Sequence, residues 1–161
     1  MIVVSDTSPV LALAAVGHLA LLESLYRRVI LPEAVFRELC LVDSAWGRSI
    51  HSYPWMEVCR VADTGLVKKL LRELDPGEAE AIALTVELQA DLLLIDEREG
   101  RKIARRMGLP IVGLLGILVE AKIAGLAPAL KPILDDLMAK AGFWIGEELY
   151  ARVLRQVGEQ K

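Results

Sequence analysis

Apolar residues recur along the chain with two different periods, and the alternation between them predicts strands interleaved with helices. Ile2-Val3-Val4 is apolar at every position, as a strand covered on both faces is. In the Asp6-Thr7-Ser8-Pro9 that follows, Ser8 suits an N-cap and Pro9 a first helical residue. A helix is therefore predicted from there to a turn at Gly17-His18, and a second over 19–26. Val29-Ile30-Leu31 reads as the next strand, with a helix from Pro32 to about Cys40. The stretch 42–54 has no clear period and reads as a loop or insertion. A strand over 56–61 and a helix over 66–74 come next.

Asp75-Pro76-Gly77-Glu78 opens another helix, ending near Gln89. A strand is predicted over 92–95, then a helix over 98–107 that Gly108 stops, and a last short strand over 110–112. Helices over 114–124, 130–141 and 147–157 complete the pattern, with no internal repeat. Strands alternating with helices, each strand apolar throughout, predict a three-layer α/β/α fold. Its centre would be a mostly parallel sheet of four to five strands.

At 161 residues, 54% apolar and 25% charged, the chain is long enough for one domain with a sizeable core. The mean hydropathy of +0.41 raises the question of a membrane span. The longest stretch free of Asp, Glu, Lys and Arg is 7–22, shorter than the ~20 residues a spanning helix needs, and Ser8-Pro9 and Gly17-His18 interrupt it. No basic segment precedes it, so neither a signal peptide nor a membrane location is expected. The surplus apolarity suits a doubly covered sheet or an oligomer interface. Cys40 and Cys59 lack metal-ligand spacing and read as reduced thiols of a cytoplasmic protein. His18 and His51 stand apart from them, which disfavours a zinc site or a Cys–His nucleophile. The net charge of −3 argues against general nucleic-acid affinity but leaves room for a local basic patch.

The acids carry the candidate chemistry. Asp6 and Asp96 share a context: an apolar strand, then Asp at its carboxyl end, then a helix. Each alone reads as a turn or cap residue. On adjacent strands, about 4.8 Å apart, the two carboxylates would face each other at the edge where open α/β sheets bind ligands. Such a pair takes up a proton or a cation, and for oxygen-only ligands the cation is Mg²⁺ or Mn²⁺. Glu38 lies in line with Leu31, Val35 and Val42 at helical spacing, where a charge needs a partner, a metal or a route to solvent. Glu78 falls three residues after Asp75, the capping-box position, yet also precedes Ile82 and Val86 on one line of its helix. Glu80 is the rival. An Asp-x-Asp phosphatase would need an acid where Ser8 stands, no glycine-rich phosphate loop follows a strand, and no Ser or Cys nucleophile has a nearby His.

In order, Val3-Val4-Ser5-Asp6-Thr7-Ser8, Ile30-Leu31-Pro32 with Glu38-Leu39, Gly77-Glu78-Ala79-Glu80-Ala81-Ile82, Leu93-Leu94-Ile95-Asp96-Glu97-Arg98 and Gly108-Leu109-Pro110-Ile111-Val112-Gly113 resemble the PIN-domain family. Within it they are most similar to a VapC-like, toxin-like branch known as a domain of unknown function. The resemblance implies a metal-binding quartet at Asp6, Glu38, Glu78 and Asp96. The usual spacing of eighteen residues between third and fourth acids selects Glu78 over Glu80. Ser8 matches the small hydroxyl residue that orients the first Asp. Two departures stand out: Glu at the third position, where many relatives have Asp, and Glu99 where some carry a further Asp. The resemblance further implies a PIN-like nuclease core over 1–125, with a C-terminal helical part, 126–161, packed on the same domain. It implies a ribonuclease using Mg²⁺ or Mn²⁺, often the toxin of a toxin–antitoxin pair with a small antitoxin protein as partner, and frequently a homodimer.

Arg98, Arg101, Lys102, Arg105 and Arg106 fall on one face of the 98–107 helix, beginning beside Asp96, and could follow an RNA backbone or simply form a solvated face. Lys68, Lys69 and Arg72 form a weaker second group. Trp46, Trp55 and Trp144 could stack bases, but packing in a core or interface is the expectation for each. The competing reading is a non-catalytic PIN-like module that binds a protein partner, for which Phe143, Trp144 and Leu149 offer apolar surface.

Overall fold

The computed structural model describes residues 1–160. Five strands, β1 (Val3–Ser5), β2 (Val29–Pro32), β3 (Met56–Cys59), β4 (Leu92–Leu94) and β5 (Ile111–Val112), form one sheet in the order β3-β2-β1-β4-β5. Every neighbouring pair is parallel. The chain starts at the centre, winds outward through β2 to β3, then returns to the other side of β1. That reversal puts a topological switch point between β1 and β4, at the carboxyl ends of both strands.

Ten α-helices among the described residues cover the sheet. They are α1 (Thr7–Ala15), α2 (Ala20–Tyr26), α3 (Glu33–Val42), α4 (Trp46–Ser49), α5 (Thr64–Leu70), α6 (Pro76–Glu87), α7 (Arg98–Arg106), α8 (Leu114–Ile123), α9 (Lys131–Lys140) and α10 (Glu147–Gln156). Because successive strand side chains point to opposite faces, each strand feeds two cores. Val3, Val29, Leu31 and Leu94 pack with Leu13 of α1, Leu39 of α3, Ile117 of α8 and Leu134 of α9. Val4, Ile30, Leu93 and Ile95 pack with Leu70 of α5, Ile82 and Leu84 of α6 and Ile103 of α7. Each large apolar side chain taken fully out of water contributes ~1.5–3 kcal/mol, so these clusters hold the sheet without cross-links. Cys40 and Cys59 are free and half-buried.

The three-layer architecture is the expected one, with five strands and all of them parallel. Differences arise where sheet hydrogen bonding, aromatic packing or a side-chain cap sets an element's limits. The first helix begins at Thr7, with Asp6 rather than Ser8 at the N-cap position, because the Asp6 amide still donates to Leu94 O at 2.9 Å as an extension of the sheet. The segment read as a loop, 42–54, folds into α4 and a 3₁₀ turn (Ile50–Ser52). Trp46, Tyr53 and Trp55 pack against one another at tilted angles, with ring centroids 6.4 and 5.8 Å apart, an anchor that periodicity cannot reveal. Helix α5 starts earlier than predicted, since Asp63 accepts from the Leu66 amide at 3.0 Å. Val42 is exposed, so the apolar stripe through Val35 ends at Leu39 and Glu38 sits at its half-buried edge.

Candidate metal centre

Hydrogen-bonded pairing of β1 with β4 brings Asp6 and Asp96 to the same edge, one residue beyond Ser5 and two beyond Leu94, which are register partners. Asp6 is only 2% exposed. Asp96, half-buried, accepts from the Leu114 amide at the start of α8 through Oδ1 at 3.0 Å. Glu38 reaches across from α3: its Oε1 accepts from the Gly77 amide in the first turn of α6 at 3.0 Å, and its Oε2 accepts from the Thr7 hydroxyl. Glu78 forms a full capping box with Asp75, which accepts from the Glu78 amide at 2.8 Å, and is 7% exposed. Each of the four thus lies at a helix N-terminus, Asp6 at α1, Glu38 and Glu78 at α6 and Asp96 at α8, where amides without an intrahelical partner and the positive end of the helix dipole offset a carboxylate's charge.

Three glycines make room for this. A Cβ on Gly77 would lie 2.7 Å from Glu38 Oε1, one on Gly100 2.8 Å from Glu78 Oε2, and one on Gly113 2.9 Å from Asp96 Oδ1. Each carboxylate is therefore seated on bare backbone. Gly100 stands inside α7, where glycine costs ~1 kcal/mol relative to alanine. That anomaly is visible in the sequence and could have marked the contact; the placements of Gly77 and Gly113 could not be read from it.

Electrostatics follow from burial. Asp6 titrates at about 7 in place of 3.8, raised by its removal from water and by the charges of Asp75, Glu38 and Glu97, with the Thr7 amide opposing. Glu78 is pushed up to about 8, first by burial, then by its hydrogen bonding with Asp75 and by the charges of Asp75 and Asp6. Burial also raises Asp96, against the pull of the Leu114 amide and Arg101. Hard oxygen donors with little tendency to ionise side by side are a fit for a divalent cation, which removes the repulsion that the protons otherwise remove. As they stand, each engaged with a nearby donor, no three Asp, Glu, His or Cys side chains among the described residues converge tightly enough to form a ready-made cage.

The remaining candidates fall elsewhere. Glu80 points to α3, accepting from the Ala34 amide at 3.0 Å and pairing with Arg37 at 3.6 Å. Ser8 Oγ donates to Glu97 Oε1 at 3.4 Å, while its neighbour Thr7, which the sequence reading passed over, makes the contact to Glu38. Arg98, Lys102, Arg105 and Arg106 are exposed. Arg101 instead folds back to donate to Ile95 O at 3.0 Å, beside Asp96. Trp46 and Trp55 are buried, as expected, but Trp144 is 84% exposed. No helix among the described residues is long and apolar enough to cross a membrane.

A parallel sheet covered on both faces, with acidic side chains at the carboxyl edge of its central strands, defines the α/β class of protein. The chain belongs to the PIN-domain family, whose sequence model matches residues 2–159. PIN domains are generally nucleases. No curated protein matches the chain.

Proposed function

We propose that this protein is a divalent-metal-dependent endoribonuclease that cleaves phosphodiester bonds in single-stranded RNA, as the toxin of a toxin–antitoxin pair. What supports the reading is the placement of Asp6 and Asp96 at the carboxyl edge of the paired β1 and β4, with Glu38 and Glu78 beside Asp6, and the rise of Asp6 and Glu78 to about 7 and about 8 through burial and neighbouring acids. These four would hold Mg²⁺ or Mn²⁺. The chemistry a bound ion supplies is acidification of a water and neutralisation of charge on the phosphoryl oxygens in the transition state. Thr7 and the Gly77 amide fix the orientation of Glu38, and the Leu114 amide fixes Asp96. Arg98, Lys102 and Arg105 supply exposed cations along α7 for the RNA backbone.

A partner protein is supported by an apolar cavity of about 670 Å³ whose walls include Leu11 and Ala15 of α1, Val42, Trp46 and Phe143. It suits an apolar segment of an antitoxin or the second subunit of a homodimer, and equally a non-catalytic module. Cleavage separates these. Wild type should cut single-stranded RNA with Mg²⁺ or Mn²⁺ and not without, and Asp6→Asn should lose at least ~100-fold. No cleavage above a metal-free blank across several RNAs would leave the protein-binding module as the better reading.

A further inference from the structure

A second cavity, of about 580 Å³, opens beside Asp96, and its walls differ in kind from the carboxylate cluster. Its lining joins Asp96, Glu97 and Arg101 to Phe143, Trp144 and Leu149. Trp144 is the exception among the three tryptophans: 84% exposed, against 9% for Trp46 and 8% for Trp55. An indole left in water forgoes the burial energy that its large apolar surface would otherwise gain. The backbone that carries it is anchored on both sides. Ile145 beside it is buried, the Phe143 amide donates to Leu137 O at 3.0 Å, and a Cβ on Gly146 would come within 3.2 Å of Trp144 Cη2. An alanine there would require the ring to move by a few tenths of an ångström.

The cavity therefore combines two carboxylates, a guanidinium and a planar, solvent-facing aromatic ring in one lining. A nucleotide has matching parts: a phosphate, which Arg101 and a cation held by the carboxylates would meet, and a flat base for the ring. We propose that this cavity is a nucleobase subsite, taking the unpaired base next to the scissile phosphate and stacking it on Trp144. The inference rests on the nuclease reading above and names how its substrate is gripped. Aromatic stacking tolerates all four bases but requires one to be out of a duplex, so the subsite selects single strands by access and not by sequence.

Three measurements test it, and the second does not depend on cleavage. In steady-state cleavage of a single-stranded RNA, Trp144→Ala should raise KM about 10-fold with little change in kcat, and Trp144→Phe should restore most of the loss. In a fluorescence titration with a short single-stranded RNA in EDTA, wild type should show saturable quenching that Trp144→Phe abolishes, since the other two indoles are buried. Unchanged KM in Trp144→Ala, or quenching that survives in Trp144→Phe, overturns the subsite. If wild type does not cleave at all, the nuclease reading fails and the titration alone decides: quenching lost with Trp144 retains the subsite, and no quenching overturns it. Sedimentation gives the last outcome. Should Trp144→Ala dissociate an oligomer while leaving RNA affinity unchanged, the ring belongs to a protein interface and the subsite is overturned.

Discussion

Asp6→Asn should make the metal-free protein more stable at pH 8, the reverse of the usual effect of substituting a buried residue. In the folded chain Asp6 titrates at about 7, raised chiefly by burial, whereas unfolded it has its ordinary value of 3.8. Between those values the folded state binds more protons than the unfolded state, so stability falls as pH rises through that window. The contribution is fully present below about pH 4 and lost by about pH 8. Each pH unit of difference is worth ~1.4 kcal/mol, so ionising Asp6 in its folded site costs at most about 4 kcal/mol. Asparagine keeps the shape and never ionises. For a domain of this size ~1 kcal/mol corresponds to ~2–4 °C, so the variant should melt several degrees above wild type at pH 8 and merge with it near pH 4. Glu78, raised to about 8 by burial and by Asp75, leaves a residual slope of the same sign in the variant. Mn²⁺ at a hundred times its Kd should stabilise wild type by ~2.7 kcal/mol at pH 8 and the variant far less. Scanning fluorimetry from pH 4 to 8, with and without Mn²⁺, reads all of this. A wild-type melting temperature that is flat with pH, or a variant less stable than wild type at pH 8, would refute the reasoning.

Further substitutions separate the site from its scaffold. Glu78→Gln should weaken Mn²⁺ binding at least ~10-fold while keeping the helix start, whereas Glu80→Ala should cost ~1 kcal/mol of stability, as a lost contact to the Ala34 amide, and leave Mn²⁺ affinity within about twofold. Isothermal titration and melting curves read both, and the opposite pattern would make Glu80 the third ligand. Gly100→Ala should forgo the ~1 kcal/mol that alanine ordinarily gains within a helix, because its Cβ would press on Ile95 Cδ1 and Glu78 Oε2 at 2.7 and 2.8 Å. A net destabilisation of ~1–2 kcal/mol in urea, with weakened Mn²⁺ binding, is expected; a stabilised variant would contradict the contact. Leu13→Ala, in the core between α1 and the sheet, should cost ~2–5 kcal/mol by urea denaturation, and a cost below ~1 kcal/mol would place it outside that core.

Most of the architecture was legible because its cause is local. Uninterrupted apolar runs at Val3-Val4, Val29-Ile30-Leu31 and Leu92-Leu93-Leu94 can be satisfied only by a sheet covered on both faces, and the helices between them force parallel pairing. Asp6 and Asp96 could be foreseen on one edge because each ends such a run. What periodicity could not supply are contacts between distant segments. The grip of Thr7 on Glu38, the backing of three acids by Gly77, Gly100 and Gly113, and the return of Arg101 to the Ile95 carbonyl each join residues from different elements or against the apparent face of a helix. The exposed Trp144 is the same case in reverse: a residue type that normally seeks a core is left at the rim of a cavity shared with Asp96.

The central claim is that Asp6, Glu38, Glu78 and Asp96 jointly hold a divalent ion. Anomalous scattering from a crystal soaked in Mn²⁺ tests it most directly. A peak is expected at the carboxyl edge of β1 and β4, with ligands from Asp6 and Asp96 and from at least one of Glu38 and Glu78. A peak bound by Glu80, or no peak at that edge at saturating Mn²⁺ and pH 8, would contradict it.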